Sequence, residues 1–299
     1  MRPIKAIAFI GLGNMGVPIA AQLAAKRFTL SLYDSRAETV SGFAAAHGGR
    51  ACASIADVAR GADAAICMLP NDAAVRDVVL CHGGLASSLA AGAIIIDMGT
   101  SDPRATVAIG SDLGNRGIGY VDAPVMGGVV FAKAASLDVM AGGNGTDIER
   151  CMPIFAAVGR RVFRCGPLGC GHALKALANY VNACALVNLI EALAIGRKFG
   201  LDSAIMADAL TQMCTGRQHP LEKKVIPQVL THEFSTGMTL GLIAKDVSIA
   251  TDFGNSIGAM TPLASCVRDL WKAAEAKIGA NADQTEVARL WEEGNAIRL

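Results

Sequence analysis

Residues 4–34, IKAIAFIGLGNMGVPIAAQLAAKRFTLSLYD, decide the fold. Ile4 to Ile10 form a short, nearly continuous apolar run, the pattern of a strand buried on both faces. GLGNMG follows directly at Gly11–Gly16, then the helical pattern VPIAAQLAAK, then a second apolar run, Phe28 to Tyr33, ending in Asp34, 18 residues beyond Gly16. Strand, glycine loop, helix, strand and acidic residue in that order are the full context of a dinucleotide-binding βαβ unit, which a bare G-x-G-x-x-G is not. Gly11 allows the tight turn, Gly13 lets the backbone approach a pyrophosphate, Gly16 lets helix and strand pack closely, and the helix N-terminus offers amide donors to the phosphates. Leu12, Asn14 and Met15 belong to the same cofactor-binding loop. Asp34 is placed to accept hydrogen bonds from the adenosine ribose hydroxyls and to repel a 2′-phosphate, which favours NAD. Arg36, two residues on, is able to grip such a phosphate and keeps NADP open.

Further apolar runs at Ala64 to Met68 and Ala93 to Asp97 end in MLPND and DMGTS, so turn-rich loops recur after strands. In a doubly wound sheet those strand ends share one edge, where the ligand lies, making Leu69, Pro70, Asn71 and Thr100 expected walls of the dinucleotide site. Each, taken singly, is also ordinary turn chemistry. Tyr120 to Val125 leads into VMGG and Leu137 to Ala141 into AGGNGTD, and a helix from Asp147 and a strand at Arg161 to Cys165 complete an α/β domain over residues 1–166. Gly166 to Arg197, GPLGCGHALKALANYVNACALVNLIEALAIGR, then reads as a Gly-rich turn followed by a long, mostly apolar helix over about 170–197. Lys175, Asn179 and Asn182 stand at i, i+4 and i+7 and share one face of it. Beyond it only helical patterns occur: Ser203 to Met213, Pro220 to Leu230, Leu240 to Phe253, Met260 to Lys277 and Thr285 to Glu293. The expected architecture is a Rossmann-like doubly wound sheet domain and, over 167–299, an all-helical domain, joined by the long helix.

Composition narrows the partners. The chain is 52% hydrophobic and 18% charged, with a formal net charge of +1 and no run of Lys or Arg. That argues against nucleic acid or a membrane surface as the main partner and leaves small molecules. Its nine cysteines lack C-x-x-C or Cys/His ligand spacing, so reduced thiols are expected, with no zinc or other metal site. The longest charge-free runs, Val78 to Ile96 and Ala176 to Ile190, are interrupted by polar and turn residues and are not membrane spans. The apolar run after Arg2 and Lys5 passes straight into a glycine loop without a cleavage-like site, and a cytoplasmic location is expected.

GLGNMGVPIAAQL, MLPND, DMGTSDP, DAPVMGG, GCGHALKALANY and LIAKD, in this order and spacing, resemble the β-hydroxyacid dehydrogenases, the group of 3-hydroxyisobutyrate dehydrogenase and its aldehyde-reductase relatives. The resemblance runs from about residue 4 to about residue 255. It implies a Rossmann-like domain and a helical domain, assembled as homodimers or homotetramers through the helical part, and an NAD(P)-dependent oxidoreductase interconverting a small 3-hydroxy acid and its semialdehyde. The family's catalytic lysine falls on Lys175 and its companion asparagine on Asn179. Lys245, with Asp246 beside it, falls on the lysine close to nicotinamide and substrate, and Gly127 and Gly128 on the amides of the substrate-binding loop. Two positions depart from the pattern: Met126 stands where the family has a serine that helps hold the substrate carboxylate, and Ala178-Asn179 replaces a tandem asparagine pair.

Oxidising an alcohol requires a hydride to leave carbon while a base takes the hydroxyl proton, and Lys175 is the expected acid/base in both directions. An unperturbed lysine, with a pKa of about 10.4, is a poor base near neutrality unless burial or a second cation such as Lys245 lowers it. Arg217 and His219, in TGRQHP, are further candidates for the far end of the substrate. His47, His82, His172 and His232 show no ligand spacing and receive no role. Two other readings share the scaffold. One is an imine or uncharged-carbonyl reductase, which the apolar Met126 fits and Lys175 opposes. The other is a non-catalytic dinucleotide-binding module, which Lys175 also opposes.

Overall fold

The computed structural model describes residues 3–114, 116–198, 200–214, 220–256 and 262–299. They fall into two compact units, Met1–Lys175 and Ala176–Leu299. The strands are β1 (Ala6–Ile10), β2 (Thr29–Tyr33), β3 (Arg50–Ala51), β4 (Ala64–Cys67), β5 (Ile94–Asp97), β6 (Gly119–Asp122), β7 (Val125–Met126), β8 (Leu137–Gly143) and β9 (Gly159–Gly166). The helices of the first unit are α1 (Gly16–Ala25), α2 (Ala37–His47), α3 (Ile55–Ala59), α4 (Asp72–Leu80), α5 (Leu85–Ser88), α6 (Pro103–Gly114), α7 (Gly128–Lys133) and α8 (Gly145–Val158). The long helix α9 (Cys170–Lys198) begins in the first unit and continues into the second.

The strands form a single sheet in the order β3-β2-β1-β4-β5-β6-β8-β7, with β9 on the free side of β8. From β3 to β6 the pairing is parallel. Alternation along β1 sends Ile7 and Phe9 to one face, against Ile19 and Leu23 of α1 and Phe155 of α8. Ala8 and Ile10 go to the other, against Val75 and Val79 of α4 and Ile109 and Leu113 of α6. Helices therefore cover both faces, which is why β4 and β5 are buried at every position and read as unbroken apolar runs. Each fully buried isoleucine or phenylalanine contributes roughly 1.5–3 kcal/mol. Edge strand β9 is instead largely exposed and carries Arg160, Arg161 and Arg164, charges that discourage further strand pairing.

The run expected from Tyr120 to Val125 is one strand broken at Ala123-Pro124, and β6 and β7 both pair antiparallel with β8. Reversal of β8 sends the AGGNGTD loop to the sheet edge opposite the dinucleotide loops; Asp147 in that loop's helix lies beside Gly119, at the start of β6.

In the second unit α9 is followed by α10 (Ser203–Cys214), a π-helical stretch Leu221–Val229, α11 (Leu240–Ser256), α12 (Pro262–Ile278), a 3₁₀ turn Gln284–Val287 and α13 (Ala288–Asn295). Trp271, fully buried, centres a core built from Leu186, Ile190 and Leu193 of α9, Val225 of the π-helical stretch and Ile243 and Val247 of α11. The helix expected over Pro220 to Leu230 is wider than an α-helix. Pro227 has no N–H for the α ladder, and the Leu230 amide reaches back five residues to Val225 O at 3.0 Å. Thr285 to Glu293, expected as one helix, opens as the 3₁₀ turn because Asp283 and Glu286 close a capping box at its start. No helix among the described residues is long and apolar enough to cross a membrane.

Candidate active site

The glycine loop interlocks with its neighbours. Gly11 sits at φ +96°, and a Cβ there would collide with the carbonyl oxygen of Met68, while a Cβ on Gly16 would collide with that of Gly11. Glycines at these two positions let the turn after β1, the start of α1 and the turn after β4 close on one another. Gly99 joins them, since a Cβ on it would lie 2.7 Å from Leu69 O. The structure thus gathers Gly11, Leu12, Gly16, Leu69 and Thr100 at the shared C-terminal edge of β1, β4 and β5. A Cβ added to Gly13 would meet no protein atom within 4 Å, so the loop is open on the side a pyrophosphate needs, and the residues present fit a dinucleotide. Asn14 is exposed and Met15 half-buried beside it.

Asp34 ties this edge together. Its Oδ2 accepts the Leu12 amide at 2.7 Å and its Oδ1 the Arg36 amide at 2.9 Å. Burial pushes its carboxyl pKa up, but the two amides and the Arg36 guanidinium outweigh that and hold it below its ordinary value. Arg36 Nε lies 3.4 Å from Asp34 Oδ1 with the side chain 63% exposed, folded onto the acid. Asn71 proves to be the N-cap of α4, its Oδ1 accepting the Ala74 amide at 2.9 Å, and Pro70 before it is exposed.

Met126 ends β7, Gly127 follows it and Gly128 begins α7. Lys175, on the second turn of α9, directs its Nζ to the Met126 sulfur at 3.7 Å. The same helix start reveals two side chains outside the expected set: Asp122, whose carboxylate accepts the amides of Gly169 and His172 at 2.8 and 2.7 Å, and His172 itself, fully buried.

In the second unit, one buried carboxylate organises two of the expected residues. Asn179 Nδ2 donates to Asp246 Oδ2 at 2.5 Å, and Lys245 Nζ lies 3.0 Å from Asp246 Oδ1. The lysine approaches off the hydrogen-bond direction, so the contact is an ion pair rather than an aligned bond. Within the second unit Lys245 therefore carries a carboxylate counter-charge. Arg217 and His219 lie outside the described residues. Among the described residues, Cys52, Cys67 and Cys151 are buried free thiols and Cys266 is an exposed one. No cluster among the described residues has the ligands to hold a metal ion.

Residues 6–166 match the family model described as the NAD binding domain of 6-phosphogluconate dehydrogenase, and residues 169–291 match the NAD-binding model of NADP-dependent 3-hydroxyisobutyrate dehydrogenase. The chain is 30% identical to 2-(hydroxymethyl)glutarate dehydrogenase of Eubacterium barkeri, covering 98% of this chain and 97% of that one. It is 31% identical to the NAD-dependent L-serine dehydrogenase of Pseudomonas aeruginosa, covering 97% and 98%. Among solved structures, 3-hydroxyisobutyrate dehydrogenase of Mycobacterium tuberculosis with L-serine superposes with a TM-score of 0.84 at 28% identity, over 96% of this chain and 99% of that one. With both family models matched in sequence along the chain and relatives at 30% identity or more over nearly its full length, the chain belongs to the β-hydroxyacid dehydrogenase family.

Proposed function

We propose that the protein is an NAD(P)-dependent dehydrogenase that interconverts a small 3-hydroxy acid and its semialdehyde, with Lys175 as general acid/base and NAD as the preferred cofactor. The observation that carries this reading is the 3.7 Å approach of Lys175 Nζ to Met126, in the unit that also holds the open glycine loop. A dinucleotide held by the Gly11–Gly16 loop would supply the hydride acceptor or donor. Lys175 takes the hydroxyl proton in oxidation and gives it back in reduction. Amides of Gly127 and Gly128 hold the carboxylate, and Asn179, steadied by Asp246, orients the reacting oxygen. Lys245 lies near substrate and nicotinamide in this reading. Met126 offers sulfur in place of a hydroxyl, so carboxylate binding rests more heavily on backbone amides, and an apolar substituent on the substrate is favoured at that position.

NAD preference follows from Asp34, whose anionic form the Leu12 and Arg36 amides stabilise and which opposes a 2′-phosphate. Exposed Val181 and Ile205 on the helical unit, 61% and 70% accessible, support a homodimer or homotetramer formed through it. Free thiols fit a reducing, cytoplasmic setting. The test is reduction of NAD and NADP over a panel of 2- and 3-hydroxy acids and uncharged alcohols, with Lys175→Ala beside it. Turnover of a 3-hydroxy acid that falls about 10²–10⁴-fold in the variant is expected. Turnover confined to cyclic imines or uncharged alcohols would overturn the substrate class.

A further inference from the structure

The start of α9 is fastened from below by groups that the hydride-transfer chemistry does not itself use. Asp122, at the end of β6, is fully buried and receives the amides of Gly169 and His172 on separate oxygens. Room for that carboxylate exists only because Gly142 and Gly171 lack side chains. A Cβ on Gly142 would lie 2.6 Å from Asp122 Oδ1, and one on Gly171 would lie 2.8 Å from Oδ2 and collide with Met140 O. An anion enclosed at a helix N-terminus meets unpaired amides and the positive end of the helix dipole together.

His172 makes the second fastening. Thr106 Oγ1 lies 3.0 Å from Asp102 O and 2.8 Å from His172 Nδ1, so one hydroxyl bridges the backbone before α6 and the imidazole. The other ring nitrogen, Nε2, faces Asp97 Oδ2 at 3.7 Å, without a hydrogen bond. Asp97 in turn accepts the Gly99 amide and the Ser101 hydroxyl, both at 3.0 Å, and the Tyr120 hydroxyl at 3.4 Å. Burial first, then the Asp97 charge, raises the Tyr120 pKa well above its usual value, so that hydroxyl stays a donor.

These contacts close a short ring. From Asp122 the chain runs four residues to Met126, Met126 meets Lys175, Lys175 sits one helical turn beyond His172, and the His172 amide returns to Asp122. The geometry points to Asp122 and His172 as positioning residues that set the register of the first turn of α9 and thereby hold the Lys175 amine against the Met126 loop. The part of this concerning catalysis rests on the reading of Lys175 as the acid/base. Placing the amine does not.

The test therefore has two readouts. In the cofactor-free protein, trace acylation by acetic anhydride, read by mass spectrometry, reports the reactivity of Lys175 against the other lysines as internal standards. Turnover with NAD and 3-hydroxyisobutyrate or L-serine gives kcat and KM separately. Thr106→Val keeps the shape and removes the hydroxyl that meets His172 Nδ1, along with its bond to Asp102 O. His172→Leu removes the imidazole partner of Thr106, and His172→Asn, whose side chain can donate or accept, restores a polar partner near the Nδ1 position. Expected for Thr106→Val and His172→Leu is a change of threefold or more in Lys175 acylation alone, and a kcat lowered about tenfold with KM and NAD affinity within about twofold, because small misplacements of a reacting group act on kcat. His172→Asn should recover most of both. Lys175 acylation equal to wild type in folded Thr106→Val and His172→Leu would overturn the proposal, whatever the turnover. If instead acylation shifts while Lys175→Ala retains full activity, the positioning stands and the acid/base assignment falls.

Discussion

At the glycine loop, Asp34 accepts the amides of Leu12 and Arg36 at 2.7 and 2.9 Å; at the start of α9, Asp122 accepts those of Gly169 and His172 at 2.8 and 2.7 Å. The device is the same, a carboxylate spanning two backbone donors, and the surroundings differ. Asp34 keeps 9% of its side chain accessible at an edge where Gly13 faces open space, so lone pairs remain for a ribose. Asp122 is walled in by Gly142 and Gly171 and has nothing left to offer a ligand. One carboxylate organises a loop for an incoming molecule, and the other organises a helix for a neighbouring side chain. Access, more than hydrogen-bond count, separates the two roles.

The largest effect should come from breaking the closed member. Asp122→Ala strands two buried amides, each costing roughly 1–3 kcal/mol, so a loss of roughly 2–6 kcal/mol is expected in urea unfolding followed by a probe in the sheet unit. Asp34→Ala should cost clearly less, because water can reach the Arg36 amide it releases. Equal losses in the two variants would mean that enclosure does not distinguish them.

The same contrast explains what could be read from the chain alone. Asp34 was legible because it stands a fixed distance beyond a glycine loop inside one βαβ unit, and β1, β4 and β5 were legible because strands buried on both faces show as apolar runs. Asp122 reaches partners 47 and 50 residues away, and no local pattern encodes such a contact. His172 lacked a ligand spacing and so drew no role, although its position in GCGH, just after a glycine that admits the Asp122 carboxylate, was the available signal. Strand direction leaves no trace in alternation, which hid the reversal of β8, and β3 is two exposed residues with no apolar signature. The apolar spacing of the π-helical stretch is nearly that of an α-helix, and only Pro227 signals the departure.

A medium effect is expected at the open member. Asp34→Ser removes the charge that opposes a 2′-phosphate, so the ratio of kcat/KM for NAD over NADP should fall about tenfold, equivalent to about 1.4 kcal/mol. An unchanged ratio would separate Asp34 from cofactor choice. Its lowered pKa adds a second check with a definite sign. The stabilisation from the ionised form is fully present above the ordinary carboxylate pKa of about 3.9 and is lost as pH falls through the lower folded value. A stability difference between wild type and Asp34→Asn should therefore hold from neutral pH down to about pH 4 and close below it. A gap that widened on acidification would contradict the amide contacts.

The smallest effect tests how Arg36 should be read. Its guanidinium lies on Asp34 at 3.4 Å while remaining 63% exposed, and an exposed pair of this kind is worth roughly 0–1 kcal/mol and is screened by salt. Arg36→Ala should shift unfolding by less than about 1 kcal/mol, and leave KM for NAD within about threefold, since the Arg36 amide that steadies Asp34 survives the substitution. NADP is the informative arm. If kcat/KM for NADP falls more than about tenfold while NAD is untouched, the guanidinium leaves Asp34 to meet the 2′-phosphate, a charge-assisted contact of the expected size. The acid and the arginine would then form a two-position selector, and the openness of this edge would extend to accommodating either dinucleotide. If both cofactors respond alike and weakly, Arg36 serves only to neutralise part of the Asp34 charge, and the proposed discrimination between the cofactors rests on the carboxylate alone.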